Sequence, residues 1–406
     1  MPTADSKRRW FRLSPDRFVA FLLLAVCLLW LSDRFQWFGF NHHKGWPVLI
    51  SVAAVGVAAL AMLLWWITSL IFRWRFQFGI RSVLVFCLAS SIAVGWLAAE
   101  VERARRQAET VEWAENAGGA VNHDWELDSY GYPIADSEPP GPEWARKVLG
   151  IEFLSDVAWA MPGREITDAG LEHLRGLMHL SGLYLGHTKV TDAGLKYLTN
   201  LPRLQWLNLT ETNVTDAGLA NITRLPQLET LTLDSTAITD VGVGYIRRLT
   251  HVEGVSLSDT NVGDGGLEHL GELPQLQRLY LNNTRITDAG LKYLGGLTHL
   301  QVLELNNTGI TDVGLEHLKG LTHLVELRLI NTQVTDAGLE HLAGLTVLQH
   351  LRLDNTRITD AGLEHLKGWT PLTELYLDST HVTDAGVKQL QQALPNCTIY
   401  NRHAHP

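Results

Sequence analysis

The stretch Leu300-Gln301-Val302-Leu303-Glu304-Leu305-Asn306-Asn307-Thr308, with Thr311-Asp312-Val313-Gly314-Leu315 shortly after it, decides how most of this chain folds. Leu303 and Leu305 alternate with other residues as a short half-buried strand does, and Asn306-Asn307 reads as a turn. A helix of about ten residues then opens at Thr311-Asp312, with Leu315, Leu318 and Leu321 as its buried stripe. Thr or Asp at a helix start accepts a hydrogen bond from a free first-turn N–H and complements the helix dipole.

Moving outward, the same unit recurs in both directions. Asp168, Asp192, Asp216, Asp240, Asp264, Asp288, Asp312, Asp336, Asp360 and Asp384 are spaced by 24 residues without an insertion, each with Gly two positions later. Nine of these ten aspartates follow Thr, the exception being Gly263, so Val262-Gly263-Asp264-Gly265-Gly266 reads as a local softening of the array. A second column of Thr runs from Thr188 to Thr380 at the same spacing, in the turn after each strand, placed for its hydroxyl to bond the backbone of the adjacent coil. No single unit buries its leucines alone, so the units must stack into one elongated core. With parallel strands ~4.8 Å apart, nine full units make a sheet roughly 40 Å long. The ends need caps. Residues 143–163, with Trp144, Phe153, Val157 and Trp159, read as an imperfect first unit, and residues 388–406 as the C-terminal cap, closed by a last strand at Leu394–Tyr400.

The pattern resembles the leucine-rich repeat family, L-x-x-L-x-L-x-x-N/C, over about residues 150–400, with Thr where the family usually has Asn or Cys. Ile286-Thr287-Asp288-Ala289-Gly290-Leu291 is similar to the cysteine-containing branch found beside F-box domains and to membrane-anchored repeat proteins of bacteria. The bacterial group carries a segment similar to Arg75-Phe76-Gln77-Phe78-Gly79-Ile80-Arg81 ahead of a transmembrane helix, and no F-box-like helical region is visible here. The resemblance implies a right-handed, curved solenoid with a concave parallel sheet and convex helices, and a protein partner bound on the sheet.

On that expectation, the residues flanking the strand leucines line the concave face. One column runs from Tyr184 through Tyr280, Glu304, Arg328 and Arg352 to Tyr376, and the other includes Trp206, Arg278 and His350. These nine are the candidate protein-binding residues, because aromatic and arginine side chains concentrate contact energy. Glu304 beside Arg328, and Glu326 near Arg352, also read as ordinary ion pairs of neighbouring strands, worth little in themselves. A ladder of His317, His341 and His365, with His173 and His269 in the same phase, raises a metal-dependent enzyme as a further reading. Tyr197, Tyr245 and Tyr293 take the same position, and no Cys or fixed carboxylate set joins the imidazoles, so no metal ligand is assigned. No nucleophile elbow, phosphate loop, zinc helix or Cys-x-x-Cys pair is present, so neither catalytic residues nor a cofactor are assigned.

The N-terminal part is different material. Residues 1–100 hold ten basic and four acidic side chains, leaving 23 basic and 39 acidic in the rest of a chain whose net charge is −10. An acidic soluble part argues against nucleic acid as a partner, and three cysteines build no disulfide framework. Residues 18–99 read as an all-α transmembrane region of two to three helices, at about 18–40, 47–72 and 82–99. Pro47–Phe72 gives 26 uncharged residues and Ser82–Ala99 gives 18, against the ~20 that cross a bilayer. Phe18–Ser32 is shorter and follows Lys7, Arg8 and Arg9 as a secretory signal would, but no small-x-small cleavage site follows, which favours an uncleaved anchor. Five basic residues precede span one, two lie between spans one and two, and three between two and three. That distribution places residues 1–17 in the cytoplasm and the repeat domain outside it, although Arg103, Arg105 and Arg106 count against this.

Residues 100–119 read as a stalk helix stopped at Gly118-Gly119, with Val101, Ala104, Ala108 and Val111 at the spacing of a thin seam for a weak homodimer. Residues 120–142, acidic and Gly/Pro-rich, read as a linker or irregular cap, and 143–406 as the repeat domain. The reading of the whole is a membrane-anchored, non-catalytic protein-binding module whose ligand the sequence does not name. A self-associating structural protein of the cell envelope is the alternative.

Overall fold

A computed structural model describes residues 24, 25, 28, 46–71, 80–128, 133–135 and 137–402. The expected span at 18–40, apart from three positions, lies outside the described residues, as do residues 1–17 and most of the segment from Arg75 to Arg81. Tertiary contacts divide the chain into two compact units. The first takes residues 1–109 and 123–157, the second 110–122 and 158 onward.

The first unit contains helix α1 (Trp46–Ile71), most of helix α2 (Ile80–Asn116) and the short helix α3 (Glu143–Leu149). α1 carries no charged side chain along its 26 residues. Side chains are described for only part of it, and among the described residues no helix is long and apolar enough to cross a membrane. The core of this unit joins Val48, Trp96, Ala104, Ala145, Phe153 and Leu154.

α2 ends where Gly118-Gly119 predicts. Gly118 takes φ +75°, and the N–H groups of Gly118 and Gly119 donate to the carbonyls of Glu115 and Ala114, closing the helix with a Schellman motif. Residues 100–119 are nevertheless no free stalk. Ala104 is buried in the core of the first unit while Val101 is 46% exposed, so the four seam residues do not share one open stripe. Gln107 donates to the Ser155 carbonyl within the first unit; within the second, Thr110 donates to the His173 carbonyl and Trp113 stacks on the His173 ring. A helix with polar groups and a tryptophan bonded along one side is a packed element, which the a/d spacing alone did not reveal.

The second unit is built on a twelve-stranded sheet in which each repeat adds one strand, paired in parallel with the strand before it. The strands run in chain order from β1 (Ala120–His123) and β2 (Val157–Met161) through β3 (Gly182–Tyr184), β4 (Trp206–Asn208), β5 (Thr230–Thr232), β6 (Gly254–Ser256), β7 (Arg278–Tyr280), β8 (Val302–Glu304), β9 (Glu326–Arg328), β10 (His350–Arg352) and β11 (Glu374–Tyr376) to β12 (Thr398–Tyr400). Twelve strands at ~4.8 Å spacing span roughly 50 Å, longer than expected because the ends also contribute strands. β1 falls in the stretch read as an irregular linker, and the 143–163 cap is shared between the two units. Inside the array Leu291, Leu294, Leu297, Leu300, Leu303, Leu305 and Ile310 of one repeat are all buried.

The helical segments are shorter than the expected ten residues. They run four to seven residues as α-helix, continued or replaced by 3-10 turns, as in Asp312–Leu315 followed by Glu316–Gly320. The next strand must begin within the same 24-residue period, and a 3-10 turn brings the chain round in fewer residues. Only the terminal helix, Asp384–Ala393, reaches ten.

The Thr-Asp-x-Gly signature works differently from a simple cap. Asp192 does not serve its own helix. Its Oδ1 accepts the N–H of Thr215 in the next repeat at 2.7 Å and its Oδ2 accepts the Thr215 hydroxyl at 2.6 Å. Thr215 in turn caps its own helix by accepting the N–H of Ala217. The same two-point staple joins Asp216 to Thr239 and Asp288 to Thr311. The glycine follows from this. A Cβ on Gly218 would lie 2.3 Å from Asp192 Oδ1, so the carboxylate occupies the space a side chain would need. At Gly263 only half of the staple forms: its N–H reaches Asp240 Oδ1 at 2.7 Å, but there is no hydroxyl for Oδ2.

The second threonine column also departs from expectation. Thr308 donates to the carbonyl of Leu305 in its own repeat, at 2.6 Å, rather than to the adjacent coil. That bond closes a turn in which Asn307 takes φ +57°, and each of the nine repeats from His187 to Ser379 places a non-glycine residue in this left-handed region. Asn and Asp tolerate it best, which is why the turn favours them.

Candidate binding face of the sheet

Parallel pairing in strict register turns each pair of strand-flanking positions into two columns on the side of the sheet opposite the leucines. Tyr184 aligns with Asn208, Tyr280 with Glu304, Glu304 with Arg328, and Arg352 with Tyr376. Trp206 aligns with Gly182, Arg278 with Val302, and His350 with Glu374. All nine candidate residues therefore lie on one face. Eight are half-buried, and Glu304 is buried at 7% exposure.

The face has two chemical halves. From β3 to β6 the columns carry Gly182, Tyr184, Trp206, Asn208, Thr230, Thr232, Gly254 and Ser256, none of them charged. Trp159 of β2 lies across Gly182, where a Cβ would come within 2.3 Å of the indole, and its ring tilts against Trp206 at 5.9 Å. Trp159 and Trp206 thus form an aromatic pair beside small polar residues, with Tyr184 on the same face in the other column.

From β7 to β11 the face is charged and interlocked. Arg328 reaches Glu304 at 3.1 Å and Glu326 at 2.5 Å, and the other oxygen of Glu304 accepts the Asn282 amide at 2.7 Å. The expected pair of Glu304 with Arg328 is present. The expected pair of Glu326 with Arg352 is not, because Glu326 is already held by Arg328 within its own strand. Arg352 instead bonds Asp354 at 3.1 Å and lies over the Tyr376 ring at 4.4 Å. Tyr376 stacks on Tyr400 at 4.4 Å, and both its hydroxyl and the His350 ring reach Glu374. Arg278 lends positive charge beside Tyr280, whose hydroxyl pKa is pushed above its ordinary value, first by burial and then by Glu304.

Trp159, Asp354 and Tyr400 belong to this surface and were missed in the sequence, whereas Glu374 stands in the column expected beside His350. Tyr400 follows Tyr376 by one full 24-residue period, a signal that was present. Trp159 precedes Gly182 by 23, one residue off the period, and Asp354 pairs along the chain rather than across strands.

Elsewhere the chemistry is sparse. Among the described residues no three His, Cys, Asp or Glu side chains are grouped to hold a metal ion. The histidine ladder is put to structural use where partners are seen, with His173 stacked on Trp113. Cys397 is buried, and burial pushes its thiol up to about 11, so it stays protonated at neutral pH. Cys27 lies outside the described residues.

A family model described as leucine rich repeat matches residues 274–334 and 298–358. Residues 274–358 are thus leucine-rich repeats, of a kind also found in bacterial proteins. The exact 24-residue spacing carries the same Asp-x-Gly signature from Asp168 to Asp384. Comparison with curated proteins finds no match. Among solved structures, an internalin from Listeria monocytogenes is 26% identical over 60% of this chain and 78% of its own, with a TM-score of 0.45. Internalin C2 of the same organism is 28% identical over 58% of this chain and 84% of its own, with a TM-score of 0.40. A leucine-rich repeat protein of Leptospira interrogans is 19% identical over 56% of this chain and 74% of its own, with a TM-score of 0.37.

Proposed function

We propose that this chain is a membrane-anchored leucine-rich repeat module that binds a protein on the exposed face of its sheet and performs no chemistry of its own. The observation that carries the reading is the contrast between framework and columns. The leucines and the Thr-Asp-x-Gly staples repeat almost without change, while the paired columns between them present tryptophan, tyrosine, arginine and glutamate in a fixed order. Such aromatic and arginine side chains, already ordered by their neighbours, lose little freedom on binding. Anchoring is supported by the uncharged helix α1 and the uncharged run at 82–99, and the basic residues favour a repeat domain outside the cytoplasm.

Crosslinking the full-length protein in its membrane, with mass spectrometry of what is captured, tests this. The comparison is with a variant carrying Tyr184→Thr, Tyr280→Ser and Tyr376→Thr, replacements of the kind the same column already holds at Thr232 and Ser256. A partner captured by the wild type and lost by the variant is expected. The same partners on both, or only further copies of the chain, would overturn the binding-face reading and favour self-association.

A further inference from the structure

Helix α3 has two faces of opposite character. Ala145 is fully buried and Leu149 partly so, in the core that also holds Val48 and Trp96. Val48 lies two residues after α1 begins, and Trp96 lies four residues before Glu100, where the uncharged run of α2 ends. The inner face of α3 is therefore fastened at the level where both apolar runs meet polar sequence.

The outer face carries Trp144, 61% exposed, and Val148, 75% exposed, one helical turn apart. Lys147 lies between them, with its ammonium paired to Glu143 at 2.6 Å. Val148 is the most exposed large hydrophobic residue among those described, and the pair is as bare as Val57, Leu60 and Leu84 on the apolar helices. The exposed hydrophobics of the repeat array, such as Val241 and Val313, stand singly on their helices, as is ordinary for a protein surface. A tryptophan and a valine one turn apart, with an exposed lysine beside them, suit the boundary between headgroups and acyl chains.

We infer that α3 is an interfacial helix whose Trp144–Lys147–Val148 face rests on the phospholipid leaflet entered by α1 and α2. It fixes the level of the first unit at the bilayer surface. The inference depends on the membrane-anchored reading above, and the test separates the two.

The full-length chain, with Cys27, Cys87 and Cys397 replaced by Ser, is reconstituted into vesicles of phosphatidylcholine and phosphatidylglycerol. Single cysteines at Trp144→Cys, Val148→Cys, Leu60→Cys and Val313→Cys carry an environment-sensitive fluorophore, and quenching by phospholipids brominated at shallow or deep positions is read. Probes at 144 and 148 are expected to shift to the blue and to be quenched by shallow-brominated lipid at least about twofold more than the probe at 313, while the probe at 60 responds to deep bromines. If 60 responds and 144 and 148 behave like 313, the interfacial helix is wrong and the anchoring stands. A blue shift at 144 and 148 without lipid quenching would show a protein covering the face, which also overturns the inference. If 60 is itself aqueous, the membrane reading fails and takes the inference with it.

Discussion

Two surfaces of the same repeat are built at the same 24-residue spacing and behave in opposite ways. On the edge where helices start, Thr, Asp and Gly of successive repeats interlock, and almost every repeat carries the same three residues. On the exposed side of the strands the residues differ from repeat to repeat, and their contacts are improvised: Arg328 holds two glutamates, whereas Arg352 turns to Asp354 and Tyr376. Uniformity marks where the array holds itself together. Variety in a fixed frame marks where it has room to recognise something else.

The sharpest way to break that contrast is to fill the space under a staple. Gly218→Ala gains ~1 kcal/mol of helix propensity. It also drives a Cβ to within 2.3 Å of Asp192 Oδ1, so overpacking and a lost charged hydrogen bond should leave a net cost of about 3 kcal/mol. The urea midpoint of the variant should fall accordingly. Removing the carboxylate is expected to be milder: Asp192→Ala leaves the Thr215 N–H and hydroxyl without their acceptor, for about 2 kcal/mol. In that background Gly218→Ala should cost little, because the colliding oxygen is gone, and a double-mutant cycle measures the coupling directly. Additive losses would show that the glycine has some other reason.

The incomplete staple offers the opposite sign. A Cβ at Gly263 meets nothing closer than 3.7 Å, so Gly263→Thr is expected to supply the missing hydroxyl to Asp240 and stabilise by about 1 kcal/mol, visible as a raised thermal midpoint.

A smaller, pH-dependent effect belongs to Asp234 in the turn after β5. Burial holds its carboxyl pKa above the ordinary value, against the lowering effect of hydrogen bonds from Ser256 and the Ser258 N–H. A raised acid favours folding while it is protonated in both states. That contribution is fully present below the unfolded pKa and is lost as pH rises through the folded one. Asp234→Asn should therefore be slightly more stable than wild type at neutral pH, with the advantage shrinking toward acid in parallel urea titrations.

The array was legible in the sequence because its period is exact and its leucines mark the buried side without ambiguity. The columns were legible for the same reason, since parallel register maps a 24-residue step onto the neighbouring strand. What the sequence did not reveal are contacts that ignore the period. The Asp192–Thr215 staple spans 23 residues and links two repeats, whereas the cap expected of Asp is local. Trp159 over Gly182 is off by one, and the pairing of Arg352 with Asp354 runs along the chain. The packing of Gln107, Thr110 and Trp113 on α2 was hidden because polar residues and one tryptophan break the apolar stripe that would have announced a buried face.

The most direct test pairs stability with recognition in one variant. The Tyr184→Thr, Tyr280→Ser, Tyr376→Thr chain is unfolded in urea and, in parallel, crosslinked in its membrane beside the Asp192→Ala chain. The account predicts that the tyrosine variant unfolds within about 1–2 kcal/mol of wild type yet loses the captured partner, while Asp192→Ala unfolds earlier and keeps it. A tyrosine variant that retains the partner, or one that loses it only because the array has come apart, would contradict the division between framework and face.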